Sequence, residues 1–413
     1  MRVINNGVKH YRSNYSYSPL LAKLIEVCYE TPIIKLKDLA KLLDISIPYV
    51  HNLIERLKRD IYFKIWAIPN YNRIKLRLSR CFLQVKSVTY RQLLLEFLSQ
   101  HDFVAYVAQC FGDSGKGIWC DFLVPEGKGK DLASFLKSLQ DHEIVDAYVI
   151  STTISLKNVV MGFEWYDFST HTWCFNWYAL LKDVLSKIDS QNFLHYCYNL
   201  EPPTLSTKFD FYDLFILHHL EQEVFTPLTP LASKLGTTPQ NLSHHFRNHV
   251  LGGELIRATR PYWCPFLFEE SSPYILSIGF ENVKNLNGFL EAIHRKPVAY
   301  TFAYYGQTTH SITHPSITLT GFLPYGEFFN FVNFLDSLKD YGIVKHYNFY
   351  IPDVRNSYVK SLPYHCYDET IGWRFGLEPH LENLLRVAKK AQEGGIKSVA
   401  KLTSAADNKI ESV

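Results

Sequence analysis

The amino-acid sequence predicts an α+β protein in which one unit is used twice in tandem with pseudo-twofold symmetry, each unit a three-helix module followed by a β-α-β-β-α-β domain. Three observations predict it. The first is an internal repeat: "LKSLQDHEIVDAY" from Leu136 matches "LDSLKDYGIVKHY" from Leu335 at seven of thirteen positions, and self-similarity at a fixed spacing marks a duplicated unit. At the same spacing of about 200 residues, "WYDFSTHTWCF" from Trp165 faces "CYDETIGWRF" from Cys366, and "LAKLLDISIPYVHNLI" from Leu39 faces "LASKLGTTPQNLSHHF" from Leu231. The second is helical periodicity at the start of each copy. The third is the same succession of strand-length and helix-length apolar segments behind it.

In the first copy, Ser18 and Pro19 form a cap and first-turn pair, and Leu20, Leu21, Leu24, Ile25 and Cys28 share one face of the helix that follows. "KLKDLAKLLDIS" is a short second helix with Asp44 at a tight turn. Ser46 caps a third, in which Val50, Leu53, Ile54 and Leu57 face inward while Tyr49, His51, Asn52, Glu55 and Arg56 face out. Two short helices joined by a tight turn, the second with a polar outer face, is the helix-turn-helix pattern. "YFKIWAIPNYNRIKLRLSR" then alternates about Asn70 to Asn72, which predicts a two-stranded wing with Arg73, Lys75, Arg77 and Arg80 along one strand. In the second copy "FDFYDLFILHHLEQE", "PLASKLG" and "TPQNLSHHFRNHV" fill the three helical slots, with Gly236 at the turn and Thr238 and Pro239 capping the last helix.

Behind each module the β-α-β-β-α-β slots are filled by "CFLQVKS", "YRQLLLEFLSQ", "FVAYVAQCF", "GIWCDFLVP", "KDLASFLKSLQ" and "IVDAYVIST" in copy one. Copy two supplies "YILSIGF", "VKNLNGFLEAI", "VAYTFAYYG", "SITLTGFLP", "GEFFNFVNFLDSL" and "IVKHYNFYI". That is the ferredoxin-like order. The expected organisation is a winged helix-turn-helix over 15–80, a ferredoxin-like domain with an aromatic closing segment over 81–187, a linker over 188–207, a second winged helix-turn-helix over 208–272, a second ferredoxin-like domain with its closing segment over 273–390, and a flexible tail over 391–413.

Charge divides unevenly. Residues 1–80 hold 15 Lys and Arg against 6 Asp and Glu, a balance of +9, so with a total of +3 the remainder sums to −6. A basic module on a mildly acidic body is the electrostatic footprint of a phosphate-binding surface. Residues 205–262 hold five cations against five anions, with His218, His219, His244, His245 and His249 partly replacing the charge. The second copy should therefore bind DNA weakly by itself at neutral pH. Ser46, Tyr49, His51, Asn52 and Arg56 are the expected base-reading face, and Lys58, Arg59, Arg73, Lys75 and Arg77 the phosphate contacts. Gln240, Asn241, Ser243, His244 and Arg247 are their counterparts in copy two, since Asn, Gln and Arg pair with base edges.

The remaining signals exclude more than they propose. No stretch nears the roughly 18 apolar residues of a membrane span, and "MRVINNGVKHYRSNYSYSPL" lacks a secretory core, so a cytoplasmic, nucleoid-associated location is expected. Eight cysteines without a C-x-x-C pair argue against a disulfide framework or a zinc ribbon. "GDSGKG" from Gly112 lacks the glycine and hydroxyl spacing of a phosphate loop and reads as a hairpin turn. His245 and His249 are a bare i,i+4 pair without a following glutamate, and the paired histidines show no orienting carboxylates, so no metal is expected. No catalytic triad or other cofactor is proposed, and the protein is expected not to be an enzyme. Tyr166, Asp167, Trp173 and Phe175 recur as Tyr367, Asp368, Trp373 and Phe375. They either close each sheet or, through Tyr166, Asp167, Trp173, Tyr367, Asp368 and Trp373, line a small-molecule pocket.

Winged helix followed by β-α-β-β-α-β resembles the Lrp/AsnC (leucine-responsive) transcriptional regulators shared by bacteria and archaea, over about 18–155 and again 209–352. The resemblance implies a sequence-specific regulator of double-stranded DNA with a small-molecule effector as an optional further partner. It places the recognition helix at Ile47 to Arg59 and its counterpart at Pro239 to Val250. Family members dimerise through their sheets; two subunits fused in one chain imply a pseudo-dimeric monomer, or a homodimer if each sheet seeks another chain. Sirohaem decarboxylases resemble the same architecture with the DNA-reading helix repurposed, acting on a tetrapyrrole through histidine and arginine. They are the alternative, with an architectural DNA-binding protein as a third reading.

Overall fold

The computed structural model describes residues 9–30, 35–113, 115–157, 159–195, 208–267, 269–298, 303–308, 311–377, 381–382 and 384–389. The expected tail over 391–413 and the later part of the expected linker, residues 196–207, lie outside them. Helix and strand are mixed, and the contacts divide the chain into two compact units: Met1–Ile74 with Thr152–Ile351, and Lys75–Ser151 with Pro352–Val413.

In the first unit the helices Pro19–Glu30, Leu36–Leu43 and Ile47–Ile61 form where the apolar spacing puts them, burying Leu24, Ile25, Leu39, Leu43, Val50, Leu53, Ile54 and Leu57. Asp44 makes the turn in the left-handed region at φ 56°, a conformation Asp tolerates. Ser46 accepts the Tyr49 N–H as the third helix's cap. The second module repeats this with Phe211–Leu220, Leu228–Lys234 and Pro239–His244. Thr238 caps its last helix, and Gly236 turns at φ +64°. That last helix then widens into a π-helix, His245–Leu251.

The expected wing is corrected. Lys64–Pro69 does not fold back on Leu76–Gln84; it pairs antiparallel with Ile256–Tyr262 of the second module, Ala67 opposite Thr259. Trp66 stacks on Tyr262 at 5.6 Å and carries the Arg260 guanidinium at 5.4 Å. Leu76–Gln84 instead pairs with Gly115–Pro125 in the other unit. Burial alternates along Lys64–Pro69 as the sequence pattern predicts, but the partner is the other copy's strand, which buries the apolar side chains of Ile65 and Ala67 where a solvated hairpin would leave them exposed.

The first unit also holds the strands Ser271–Phe280, Ala303–Thr308, Ser311–Pro324 and Val344–Pro352 with the helices Val283–Ile293 and Phe328–Asp340. The sheet order, last strand, first, third, second, is that of a split β-α-β. Against these two helices lies Trp177–Ser190, from the first half of the sequence; Trp177 stacks on Phe331 at 4.9 Å. Gly288 permits the approach, for a Cβ there would sit 2.4 Å from Ile188 Cγ1. Trp177 Nε1 donates to the buried Glu327 at 2.6 Å, and the Tyr11 hydroxyl and Asn330 amide complete its shell.

The second unit has the same order: Leu76–Gln84, Val88–Gln100, Val104–Gly112, Gly115–Pro125, Gly129–Asp141 and the strand Ala147–Lys157 as far as Ser151. Its strands lie last, first, third, second. Gly112 faces Gly115 across the turn of the "GDSGKG" hairpin. Leu93, Leu94, Leu98, Leu132, Phe135 and Leu136 form its core, and Leu377, Leu384 and Ala388 from the end of the second copy pack into that core. Each closing segment thus covers the helices of the opposite copy's domain.

Candidate functional site

Ile47–Ile61 presents Tyr49, His51, Asn52 and Arg56 to solvent, Tyr49 at 48% exposure. The expected phosphate contacts fare differently. Lys58 Nζ lies 3.1 Å from Glu55 and 3.2 Å from Glu223, and Arg59 lies 2.9 Å from Asp60. Arg73 pairs with Glu254 and donates to the Gly253 carbonyl, joining the two helical modules of the first unit. In the second unit Arg77 lies 3.8 Å from Glu126, Lys75 is exposed at a turn, and Arg80 is buried against Asp121. Four of the five cations assigned to phosphate therefore lie within ion-pair distance of the chain's own carboxylates. The +9 of the first eighty residues overstates the field at the surface, because its partners Glu223, Glu254 and Glu126 lie beyond residue 80.

In the second module Gln240, Asn241, His244 and Arg247 are exposed and Ser243 is half-buried. Asn241 donates to Thr237, and Asn248 lies 2.9 Å from His244 Nδ1. His245 and His249 turn inward. His245 Nδ1 lies 3.1 Å from Asp213 Oδ1 and 3.4 Å from Asp210 Oδ2, and His249 Nδ1 lies 3.1 Å from Asp213 Oδ2. Asp210 and Asp213 cap Phe211–Leu220 reciprocally, each side chain accepting the other's backbone N–H. Burial first, and then Asp210 beside it, push the Asp213 carboxyl above its ordinary range. The sequence reading of a bare surface pair is corrected: the orienting carboxylates exist, but they stand more than thirty residues upstream. The signal that could have found them is the D-x-x-D spacing at a helix start followed by H-x-x-x-H on a facing helix.

A smaller cluster in the second unit sets His365 Nε2 3.3 Å from Asp102, with the Cys366 thiol beside the same carboxylate. Burial, then Asp102, push that thiol up to about 12, so it stays protonated at neutral pH. In the first unit His195 stacks on His294 at 4.1 Å and lies 2.7 Å from the buried Glu291.

The aromatic candidates are placed in packing roles. Trp173 and Phe175 are fully buried with Tyr17, Phe163, Trp263 and Phe266, and Tyr166 lies 4.9 Å from Trp173. Asp167 closes a turn by accepting from Ser169 and Thr170, and the Ser169 hydroxyl foremost holds its carboxyl below the usual range. Tyr367 and Trp373 pair across a two-stranded ribbon in the second unit, and Asp368 accepts from Thr370 and Ile371. A tight turn with an aspartate anchor accounts for the repeat of these residue types.

No protein-family model matches the chain, and no curated protein matches it. Among solved structures, the siroheme decarboxylase NirDL is similar at 12% identity and a TM-score of 0.47, covering 89% of this chain and 98% of that one. The same enzyme in complex with an iron-uroporphyrin III analogue is similar at 11% identity and a TM-score of 0.46, over 90% and 99%. PH0061 is similar at 15% identity and a TM-score of 0.25, over 33% of this chain and 91% of that one. Against the expectation that this chain is not an enzyme, both of these structures, which its length covers almost fully, are of a siroheme decarboxylase.

Proposed function

We propose that this chain is an enzyme acting on a carboxylate-bearing tetrapyrrole, decarboxylating it in the manner named for the siroheme decarboxylase it is similar to. In this reading the fold is a three-helix helix-turn-helix module and a ferredoxin-like domain, each used twice, with the DNA-reading slot turned to another use. The observation that carries it is the fate of the cations: Lys58, Arg59, Arg73 and Arg77 are tied to the chain's own carboxylates. Each of the two slots exposes a histidine and an arginine, His51 and Arg56, His244 and Arg247. Binding a duplex draws on a broad field of cations that release counterions. A small polyanion needs a few guanidinium groups for its carboxylates, and an imidazole can supply the proton that replaces departing CO2. The acetate side chain R–CH2–COO⁻ with one proton gives R–CH3 and CO2, so the step balances without a redox partner.

Absorbance titration with iron uroporphyrin III tests it. A saturable spectral change is expected, weakened roughly tenfold or more in Arg56→Ala or Arg247→Ala, the scale of a lost charge-assisted hydrogen bond. No spectral change would overturn the reading.

A second reading, a sequence-specific regulator of double-stranded DNA with an optional effector, is favoured by one observation: Tyr49, Asn52 and Arg56 stand exposed in a row along Ile47–Ile61. Retention of a few genomic fragments, lost in Asn52→Ala and Arg56→Ala, would establish it. In either reading two copies in one chain do the work of two subunits, and light scattering should return the 48.0 kDa of a monomer.

A further inference from the structure

We propose that Asp210, Asp213, His245 and His249 form a structural site for one divalent transition-metal cation, zinc by its donor set, which clamps the helix Phe211–Leu220 to the π-helix His245–Leu251. Each residue offers one ligand atom, and all four atoms lie within 4.8 Å of one another. Tetrahedral zinc with bonds of about 2.0–2.2 Å separates its donors by roughly 3.3–3.6 Å. The Nδ1-to-carboxylate separations of 3.1, 3.1 and 3.4 Å lie close to that edge length.

Three further features make this more than a chance gathering of polar groups. The carboxylates are already oriented: Asp210 Oδ1 accepts the Asp213 N–H, which leaves Oδ2 toward His245, and Asp213 accepts the Asp210 N–H. Such outer hydrogen bonds fix ligand geometry in metal sites. The last helix departs from α to π geometry over His245–Leu251, and single-turn π segments occur frequently at functional sites. Asp213 is fully buried with the Asp210 carboxylate beside it, and burying a carboxylate without a cationic partner is costly. A dication removes that cost. The donors are two nitrogens and two oxygens with no sulfur, which suits zinc over magnesium or calcium, whose sites are built from oxygen. Four protein donors close the coordination, so the role is structural.

The experiment is a cobalt(II) titration of the full-length chain, purified without a polyhistidine tag and stripped with chelator. One equivalent is expected to give the visible d–d band of tetrahedral cobalt, displaced by one equivalent of zinc. His249→Ala and Asp210→Asn should each weaken cobalt binding by roughly a hundredfold. Cys366→Ser, which alters the Asp102, His365 and Cys366 cluster, should leave the band unchanged. Far-ultraviolet circular dichroism checks that each variant is folded, and zinc should raise the melting temperature of the stripped wild-type chain. Absence of both the band and the thermal shift in the wild type would overturn the proposal in favour of a metal-free carboxylate–imidazole network. So would a band that persists in folded His249→Ala and Asp210→Asn.

Discussion

His294 shows how a single side chain couples this fold to pH. Burial first, and then the stacked His195 and Arg295, push its pKa down to about 4 from an ordinary 6.5. The unfolded chain takes up a proton there as pH falls through 6.5, while the folded chain resists until about 4, so this residue removes stability across that window on acidification. Chemical denaturation at pH 7 and pH 5 should show wild type losing stability and His294→Asn losing measurably less; equal losses would contradict the assignment. Gly117 is constrained differently: a Cβ there would lie 2.2 Å from the Leu83 carbonyl oxygen, a backbone atom that cannot swing away. Gly117→Ala should cost about 1–3 kcal/mol in a denaturant melt. Removing the buried acceptor in Glu327→Ala leaves Trp177 Nε1 and the Tyr11 hydroxyl without a partner, and should cost about 3 kcal/mol.

At the scale of elements, the pairing of Lys64–Pro69 with Ile256–Tyr262 joins the two helical modules of the first unit. A double-mutant cycle on Trp66 and Tyr262, stacked across it, should give a coupling of about 0.5–1.5 kcal/mol; zero coupling would place the two strands apart. The helices were legible because periodicity and caps are local: Ser46, Asp44, Thr238 and Gly236 each act within a few residues of themselves. The wing was misread because a strand's pattern says which side chains are buried and not which strand buries them, and here the partner begins at Ile256. The Asp213, His245 and His249 cluster was missed for the same reason, as its contacts span 32 and 36 residues. The repeated Tyr-Asp and Trp segments were visible in the sequence, but the packing of the residues that follow them, Trp177 on Phe331 and Leu377, Leu384 and Ala388 in the second unit's core, depends on chain crossing that no local pattern encodes.

For the whole molecule, the two copies differ in charge. The second helical module carries histidines where the first carries cations, and two of these serve an internal cluster where a DNA-reading helix would present them outward. The first pairs several of its cations with carboxylates that stand after residue 80. Charge counted over the first eighty residues leaves these pairings out, because compensation is a property of the folded chain. The proposed chemistry on a carboxylated tetrapyrrole is checked by incubating the purified chain with siroheme and following the tetrapyrrole by mass spectrometry. Stepwise loss of CO2 from the acetate side chains is expected, abolished by replacing His51 or His244. Siroheme recovered unchanged, with the same preparation retaining a defined set of genomic fragments, would contradict it.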